Sequence, residues 1–129
     1  MDELSEPLSH YTDAVRVGRL LFVSGCAPLD RAGRLVGGED VLAQTRQVLS
    51  NMQRVLAGAG ASFSDVAKVT VYLTDVNDRQ AVDVARREYF GSIRPASTLV
   101  EVSRLAVEGM KVEIECVASL LGRERGNGD

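Results

Sequence analysis

Cysteine, histidine and tryptophan are scarce in this sequence. Cys26 and Cys116 are its two cysteines, His10 is its single histidine, and it has no tryptophan. Two cysteines are too few for a disulfide scaffold, and one histidine does not build a zinc site by itself. Both cysteines lie in apolar stretches, so we expect buried thiols. There is also no phosphate-binding glycine loop, and the sequence predicts neither a metal site nor a cofactor.

Long apolar runs and an excess of positive charge are also absent. No apolar run approaches the ~20 residues of a membrane span. The acidic stretch MDELSEPLSHYTD lacks the apolar core of a signal peptide. We therefore expect a cytoplasmic protein with no membrane partner. Lysine and arginine number 15 against 18 acidic residues, for a net charge of −3. No basic stripe is left to bind phosphates, so no nucleic acid partner is expected.

What the sequence contains is typical of one soluble domain. It is 45% hydrophobic and 26% charged, and its 129 residues suffice for one core. We predict a domain over 9–121, between a flexible N-terminus over 1–8 and a disordered polar tail over 122–129.

Apolar periodicity predicts seven elements in the order ββαβαββ, an α+β fold with two helices on one face of a mixed sheet. Asn77 and Gln80 resemble a capping box at the start of the second helix, and Gly58 and Gly60 end the first. The predicted strands are 13–17, 20–25, 66–74, 98–104 and 110–121, and the predicted helices begin near residues 41 and 77.

Two predicted strands carry apolar residues on both faces. In the second strand, Leu21 and Val23 point to one side and Leu20 and Phe22 to the other. The last strand shows the same property. Two helices cover only one face, and exposing the other would cost roughly 25 cal/mol per Å². We therefore expect self-association that buries the second face; a curled sheet with scattered surface apolar residues is the alternative.

Glu113 and Glu115 are candidate chemical groups, because alternation in KVEIECVAS puts both on the face away from Val112 and Ile114. A carboxylate half-buried at an interface has a raised pKa and can act as an acid or a base. The alternative is that they are solvated or paired with Lys111. For Glu115 we favour that alternative; for Glu113 the spacing does not decide.

Other polar groups stand at the ends of elements. Ser24 and Gly25 end the second strand, where they either expose a hydroxyl and a backbone N–H or form a plain turn. Tyr11 precedes the first strand and either closes over a pocket or anchors the chain. Arg94 precedes Pro95 and is a candidate for an anion contact, or is simply solvated like Arg104.

Taken together, the motifs resemble the RidA/YjgF family of imine and enamine deaminases. The resemblance runs from about Ser9 to Ala118, through SHYTDAVRVGRLLFVSGCAP, REYF, RPASTLVEVSRL and VEIECVAS. It implies a chorismate-mutase-like fold and a homotrimer whose sheets form a central β-barrel. It also implies a small-molecule ligand in a cleft at each subunit interface, where 2-imino acids are hydrolysed to 2-keto acids and ammonia.

Within that resemblance, Glu113 matches the glutamate that positions or polarises the attacking water. Tyr11 matches the cleft tyrosine, and Ser24 and Gly25 match the Ser-Gly that ends a strand. Ser97 departs from the pattern, because the deaminases have an arginine there that grips the substrate carboxylate. Leu99 stands where many members have cysteine or another small residue.

The resemblance therefore implies an imine- or enamine-hydrolysing cleft with an altered substrate preference. The substrate either lacks an α-carboxylate or has it held through Arg94 or a neighbouring subunit's basic residue. The competing hypothesis is a non-catalytic trimer that binds a metabolite or a protein in the same cleft. Ammonia release from a panel of imines separates the two.

Overall fold

The computed structural model describes residues 12–121. Five strands and two α-helices follow the predicted order ββαβαββ. The strands are β1 Ala14–Val17, β2 Leu20–Cys26, β3 Val66–Leu73, β4 Ala96–Glu101 and β5 Val112–Ser119; the helices are α1 Val41–Gly58 and α2 Arg79–Phe90.

The strands form one mixed sheet in the order β1-β2-β5-β3-β4. Only β3 and β4 pair in parallel; the other neighbours are antiparallel. The pairing places β5, the last strand in the sequence, at the centre of the sheet. The side chains of β5 are therefore flanked by β2 on one side and β3 on the other.

The core lies between the two helices and one face of the sheet. Its strand residues come from the alternating apolar sets and its helix residues from the predicted apolar faces, which bear out two helices on one side of a mixed sheet. The fully buried members include Leu49, Met52, Leu56, Val69, Val71, Val82, Val112 and Ile114. The opposite side of the sheet, called here the open face, carries Val15, Val17, Leu20 and Phe22, all exposed in the single chain.

Three predicted elements differ from the structure by more than one residue at an end. The strand predicted over 98–104 is Ala96–Glu101, because its neighbour β3 ends at Leu73, the residue paired with Glu101. The strand predicted over 110–121 is Val112–Ser119, because its outermost partners are Leu73 on β3 and Leu20 on β2. A strand ends where its partners end, and local sequence does not record this.

The third error concerns the start of α2. The predicted Asn77–Gln80 capping box does not form. Instead the Asp75 carboxylate accepts a hydrogen bond from the Asn77 backbone N–H at 2.9 Å, which caps a short 3₁₀ turn, Val76–Asp78. The helix then begins at Arg79. The aspartate two residues upstream reaches the free N–H first, as an Asx turn does.

Candidate functional site

Glu113 lies on the open face of β5, against the end of β2. Its carboxylate is so close to Gly25 that a β-carbon on Gly25 would lie 2.8 Å from the Glu113 Cδ and Oε2 atoms. Gly25 does not have a positive φ, so its backbone conformation does not require glycine. The missing side chain is what lets the carboxylate approach the backbone.

A β-bulge at the end of β2 brings the Gly25 backbone close to the Glu113 carboxylate. Val23 pairs with Cys116 and Cys26 pairs with Ile114, so Ser24 and Gly25 together stand opposite one residue of β5. Such a bulge bends a strand and redirects its side chains. Here it returns Cys26 to the core face, where the thiol is buried, and presents the Gly25 backbone to Glu113.

The Glu113 carboxyl is half-buried, and this burial raises its pKa above the ordinary value. The negative charge of Glu115 on the same strand face raises it further. Neither of the ion pairs between described residues, Arg34–Asp30 and Arg46–Glu88, involves Glu113. Glu113 is consequently a stronger base than a solvated glutamate, as a group that takes a proton from water needs to be.

Glu115 is exposed, as predicted, but its partner is not Lys111. The Tyr72 hydroxyl, on β3, donates a hydrogen bond to Glu115 Oε1 at 2.8 Å. This bond is the main cause that raises the pKa of Tyr72. Sequence reasoning missed Tyr72. The available signal was the alternation in VAKVTVYL, which places Lys68, Thr70 and Tyr72 opposite the buried valines.

Ser24 is where the sequence places it, but its donors are not free for a ligand. The hydroxyl donates to the Thr12 carbonyl at 2.6 Å, and the backbone N–H donates to the Asp13 carbonyl at 2.9 Å. Of the two alternatives for the strand end, these hydrogen bonds favour a structural role for both Ser24 donors: within the chain they connect the bulge to the segment before β1. The hydroxyl oxygen can still accept a hydrogen bond.

Ser97 and Leu99 lie on the edge strand β4. Their partners in the register are Val69 and Val71, which are buried on the helix side of the sheet. Glu113 pairs with Tyr72 on the open face. Since paired residues share a face, Ser97 and Glu113 project to opposite sides of the sheet in one chain. One chain alone does not bring these two positions together.

Arg94 is exposed in the connection between α2 and β4. Tyr11 lies outside the described residues, as do the predicted N-terminus over 1–8 and tail over 122–129.

The two thiols are buried and free, as the sequence predicted. Burial is the main cause that raises the pKa of Cys116 to about 12, and it raises the pKa of Cys26 still further. Both are therefore protonated and poor nucleophiles. Across residues 12–121, no cluster of three or more histidine, cysteine or acidic side chains is placed to hold a metal ion.

Residues 2–120 match the protein family described as Endoribonuclease L-PSP. Human 2-iminobutanoate/2-iminopropanoate deaminase is 39% identical over 109 residues, which are 84% of this chain and 78% of the human protein. This chain belongs to the RidA/YjgF family. Other members share more of its sequence: a RutC family protein of Pyrococcus horikoshii is 45% identical over 114 residues, covering 88% of this chain and 89% of that one.

The fold is also that of the RidA/YjgF family. The crystal structure of the YjgF gene product of E. coli superposes with a TM-score of 0.84 at 31% identity, over 92% of this chain and 94% of that one. A Thermotoga maritima structure, described as a putative endoribonuclease, superposes with a TM-score of 0.87 at 36% identity, over 98% and 95% of the two chains. The resemblance and the fold class predicted from the sequence are confirmed. In the described part of the chain, no helix has both the length and the apolar character to cross a membrane.

Proposed function

We propose that this protein hydrolyses an imine or enamine to a carbonyl compound and ammonia, with Glu113 as the catalytic residue. The observation that carries the proposal is the Glu113 carboxylate, half-buried against a side-chain-free Gly25 with its pKa raised. A glutamate with a purely structural role would gain nothing from this half-buried position near the start of β5, because burial of a carboxylate without a charged partner is unfavourable. The imine deaminase names of close relatives support the same reaction class.

In the proposed reaction, water adds to the carbon of a protonated C=N group. The Glu113 carboxylate accepts a proton from that water as the new C–O bond forms, which gives a neutral amino alcohol. The protonated Glu113 then returns the proton to nitrogen. The C–N bond breaks, the oxygen lone pair forms C=O, and the hydroxyl proton leaves with ammonia as ammonium. Atoms and charge balance without a cofactor, and Glu113 ends as it began.

The proposed site lies between subunits of a homotrimer. Four large apolar side chains on the open face are exposed in the single chain: Val15 (51%) and Val17 (59%) on β1, and Leu20 (38%) and Phe22 (45%) on β2, the strand next to β5. A cluster of this kind is unfavourable in water and typical of an interface. The opposite orientations of Ser97 and Glu113 support the same assembly, because a second chain is needed to complete a cleft that contains both positions.

The substrate is proposed to lack the α-carboxylate that the archetypal deaminases bind. Ser97 offers one neutral hydrogen bond where a guanidinium would offer a charged, two-pronged grip. Leu99, half-buried against the core, keeps the same edge strand bulkier than a cysteine would. Residues 9–121 are the proposed functional domain, and the proposed setting is the cytoplasm.

The test is ammonia release from a panel of imines with and without an α-carboxylate, each generated in the assay. Wild type should release ammonia faster than buffer for at least one carboxylate-free imine, and Glu113→Gln should abolish the difference. Glu39→Gln, at an exposed position, is the charge-matched control and should behave as wild type. A protein that binds small molecules in this cleft but accelerates none of these hydrolyses would be a binding module instead.

A further inference from the structure

Tyr72, Glu113 and Glu115 form a compact polar group on the open face. Tyr72 and Glu113 are direct register partners on β3 and β5. The Tyr72 hydroxyl nevertheless passes its direct partner and donates diagonally to Glu115 Oε1 at 2.8 Å. Glu115 and Glu113 alternate on the same face of β5. The tyrosine thus holds one carboxylate in place beside the other.

The choice of acceptor matters for Glu113. A hydrogen bond donated to a carboxylate stabilises its charged form and weakens it as a base. The Tyr72 hydroxyl donates its hydrogen bond to Glu115, and none of the hydrogen bonds between side chains of described residues ends on Glu113. Glu113 therefore receives no hydrogen bond from Tyr72 and has the negative charge of Glu115 beside it.

The other groups around Glu113 do not offset this charge. On β2 the residue closest to the Glu113 carboxylate is Gly25, which has no side chain. On β3 the facing residue is Tyr72, whose raised pKa keeps it neutral. On β5 itself the flanking ionisable residues are Glu115 and Lys111, and Lys111 makes no ion pair with Glu113. Cys26, behind the bulge, is protonated. Burial and Glu115 are the causes that raise the Glu113 pKa.

We propose that Glu115 and Tyr72 are positioning residues that tune Glu113: Tyr72 fixes the Glu115 carboxylate beside Glu113, and the fixed charge makes Glu113 a better proton acceptor. This inference rests on the proposed function of Glu113. Neither Glu115 nor Tyr72 is proposed to touch the substrate. Their contribution is electrostatic, so it moves the pH at which Glu113 changes protonation state.

The experiment measures that pH in two independent ways. The first is the carboxyl ¹³C shift of Glu113, followed by NMR against pH in ¹³C-glutamate-labelled protein and assigned by its absence in Glu113→Gln. The second is the acidic limb of the pH–rate profile. Glu115→Gln keeps the size of the side chain and its ability to accept from Tyr72, but removes the charge. In Glu115→Gln, the midpoint of the Glu113 titration should lie at lower pH than in wild type by both measurements.

Tyr72→Phe should shift the midpoint in the same direction by less, because the released Glu115 carboxylate moves toward water. Tyr72→Phe added to Glu115→Gln should produce no further shift, since the charge that Tyr72 fixes is already gone. Glu39→Gln is the matched control for loss of one acidic charge, and its midpoint should equal that of wild type.

A Glu115→Gln protein whose Glu113 titrates at the wild-type pH would overturn the inference. So would a variant that loses turnover equally at all pH values, because that result indicates a structural role. The NMR titration separates this outcome from a failure of the proposed function: if no imine is hydrolysed but the Glu113 midpoint still shifts, the tuning stands and the assigned reaction is wrong.

Discussion

Gly25 and Glu113 are 88 positions apart in the sequence, yet no atom larger than hydrogen fits between the Gly25 α-carbon and the Glu113 carboxylate. A β-carbon at Gly25 would lie 2.8 Å from both Cδ and Oε2 of Glu113, shorter than a van der Waals contact allows. Gly25 therefore sets the position of the proposed catalytic carboxylate by having no side chain.

Gly25→Ala should displace the Glu113 carboxylate and lower turnover by about 100-fold, the scale of loss that follows a misplacement of about 1 Å. The fold should survive, because the displaced atoms are the end of a flexible side chain; the expected loss in free energy of unfolding is about 1–3 kcal/mol. Steady-state kinetics and urea unfolding measure the two effects.

The control for this prediction is a double-mutant cycle. In a Glu113→Ala background the new methyl group has no carboxylate to displace, so Gly25→Ala should then change stability much less. An equal stability loss in both backgrounds would show that alanine is unfavourable at position 25 for a reason other than Glu113.

Removal of the Glu113 charge should stabilise the protein near neutral pH. Because the folded-state pKa of Glu113 is raised, the folded protein binds this proton more tightly than the unfolded chain. Its contribution to stability is therefore full below the unfolded pKa and is lost as pH rises through the folded pKa. Glu113→Gln should be more stable than wild type at pH 7, and the difference should shrink toward pH 4.

Chemical unfolding of both proteins at several pH values tests this, with Glu39→Gln as the control for net charge. A stability difference that does not change with pH would contradict it, since a neutral glutamine and a protonated glutamate differ little in charge at low pH.

Wild type should hydrolyse small aliphatic imino acids slowly, and Ser97→Arg should raise that rate. Such a substrate has little apolar surface, so its carboxylate must supply much of the binding energy. A charged hydrogen bond contributes roughly 1.5–3 kcal/mol, so the gain in kcat/KM should be on the order of 10- to 100-fold. Semicarbazide trapping of the imine measures its lifetime with and without enzyme.

Ser97→Gln, long but neutral, is the control and should not reproduce the gain. Leu99 lies two residues along the same strand face and can obstruct the rescue, so the Ser97→Arg/Leu99→Cys pair belongs in the same assay. Wild type that already matches an arginine-bearing family member would show that another cation, such as Arg94 or a basic residue of a neighbouring subunit, binds the carboxylate.

The open face should be buried in a trimer. Light scattering should return three times the chain mass at micromolar concentration, and Phe22→Glu should return a smaller assembly, because a charge cannot be buried there without a partner. Val84→Glu is the matched control: Val84 is 42% exposed on α2, against 45% for Phe22 on the open face. A wild-type monomer would refute the assembly, and equal dissociation by both variants would refute the role of the open face.

Gln44 should be the most sensitive polar residue of the core. It is fully buried; its amide nitrogen donates to the carbonyls of Gly38 at 2.7 Å and Gly109 at 2.9 Å, and its oxygen accepts from the Lys111 N–H at 2.8 Å. Gln44→Leu leaves those three backbone groups unpaired and should cost about 2–4 kcal/mol. Gln53→Leu, on the exposed side of the same helix, should change the free energy of unfolding little. Equal losses in the two variants would contradict the prediction.

Much of this fold could be predicted from local pattern. The 3.6-residue period identified α1, and Gly58 and Gly60 marked its end, because helix and strand periodicities are properties of short segments. The alternation in the second and last strands also predicted apolar residues on a face that no helix covers. The motif order supplied the family, and through it Glu113, Gly25 and the departure at Ser97.

Only the tertiary structure decided how these positions relate. Strand pairing ended β4 and β5 where their neighbours end, and it set Tyr72 beside Glu115 across 43 positions of sequence. In the tertiary structure, both Ser24 donors form hydrogen bonds to backbone carbonyls before β1. Ser97 and Glu113 project to opposite faces of the sheet. Local sequence determines which way a side chain points along its own strand. Which residue of another strand it meets depends on register, and register is decided by the whole sheet and its core together.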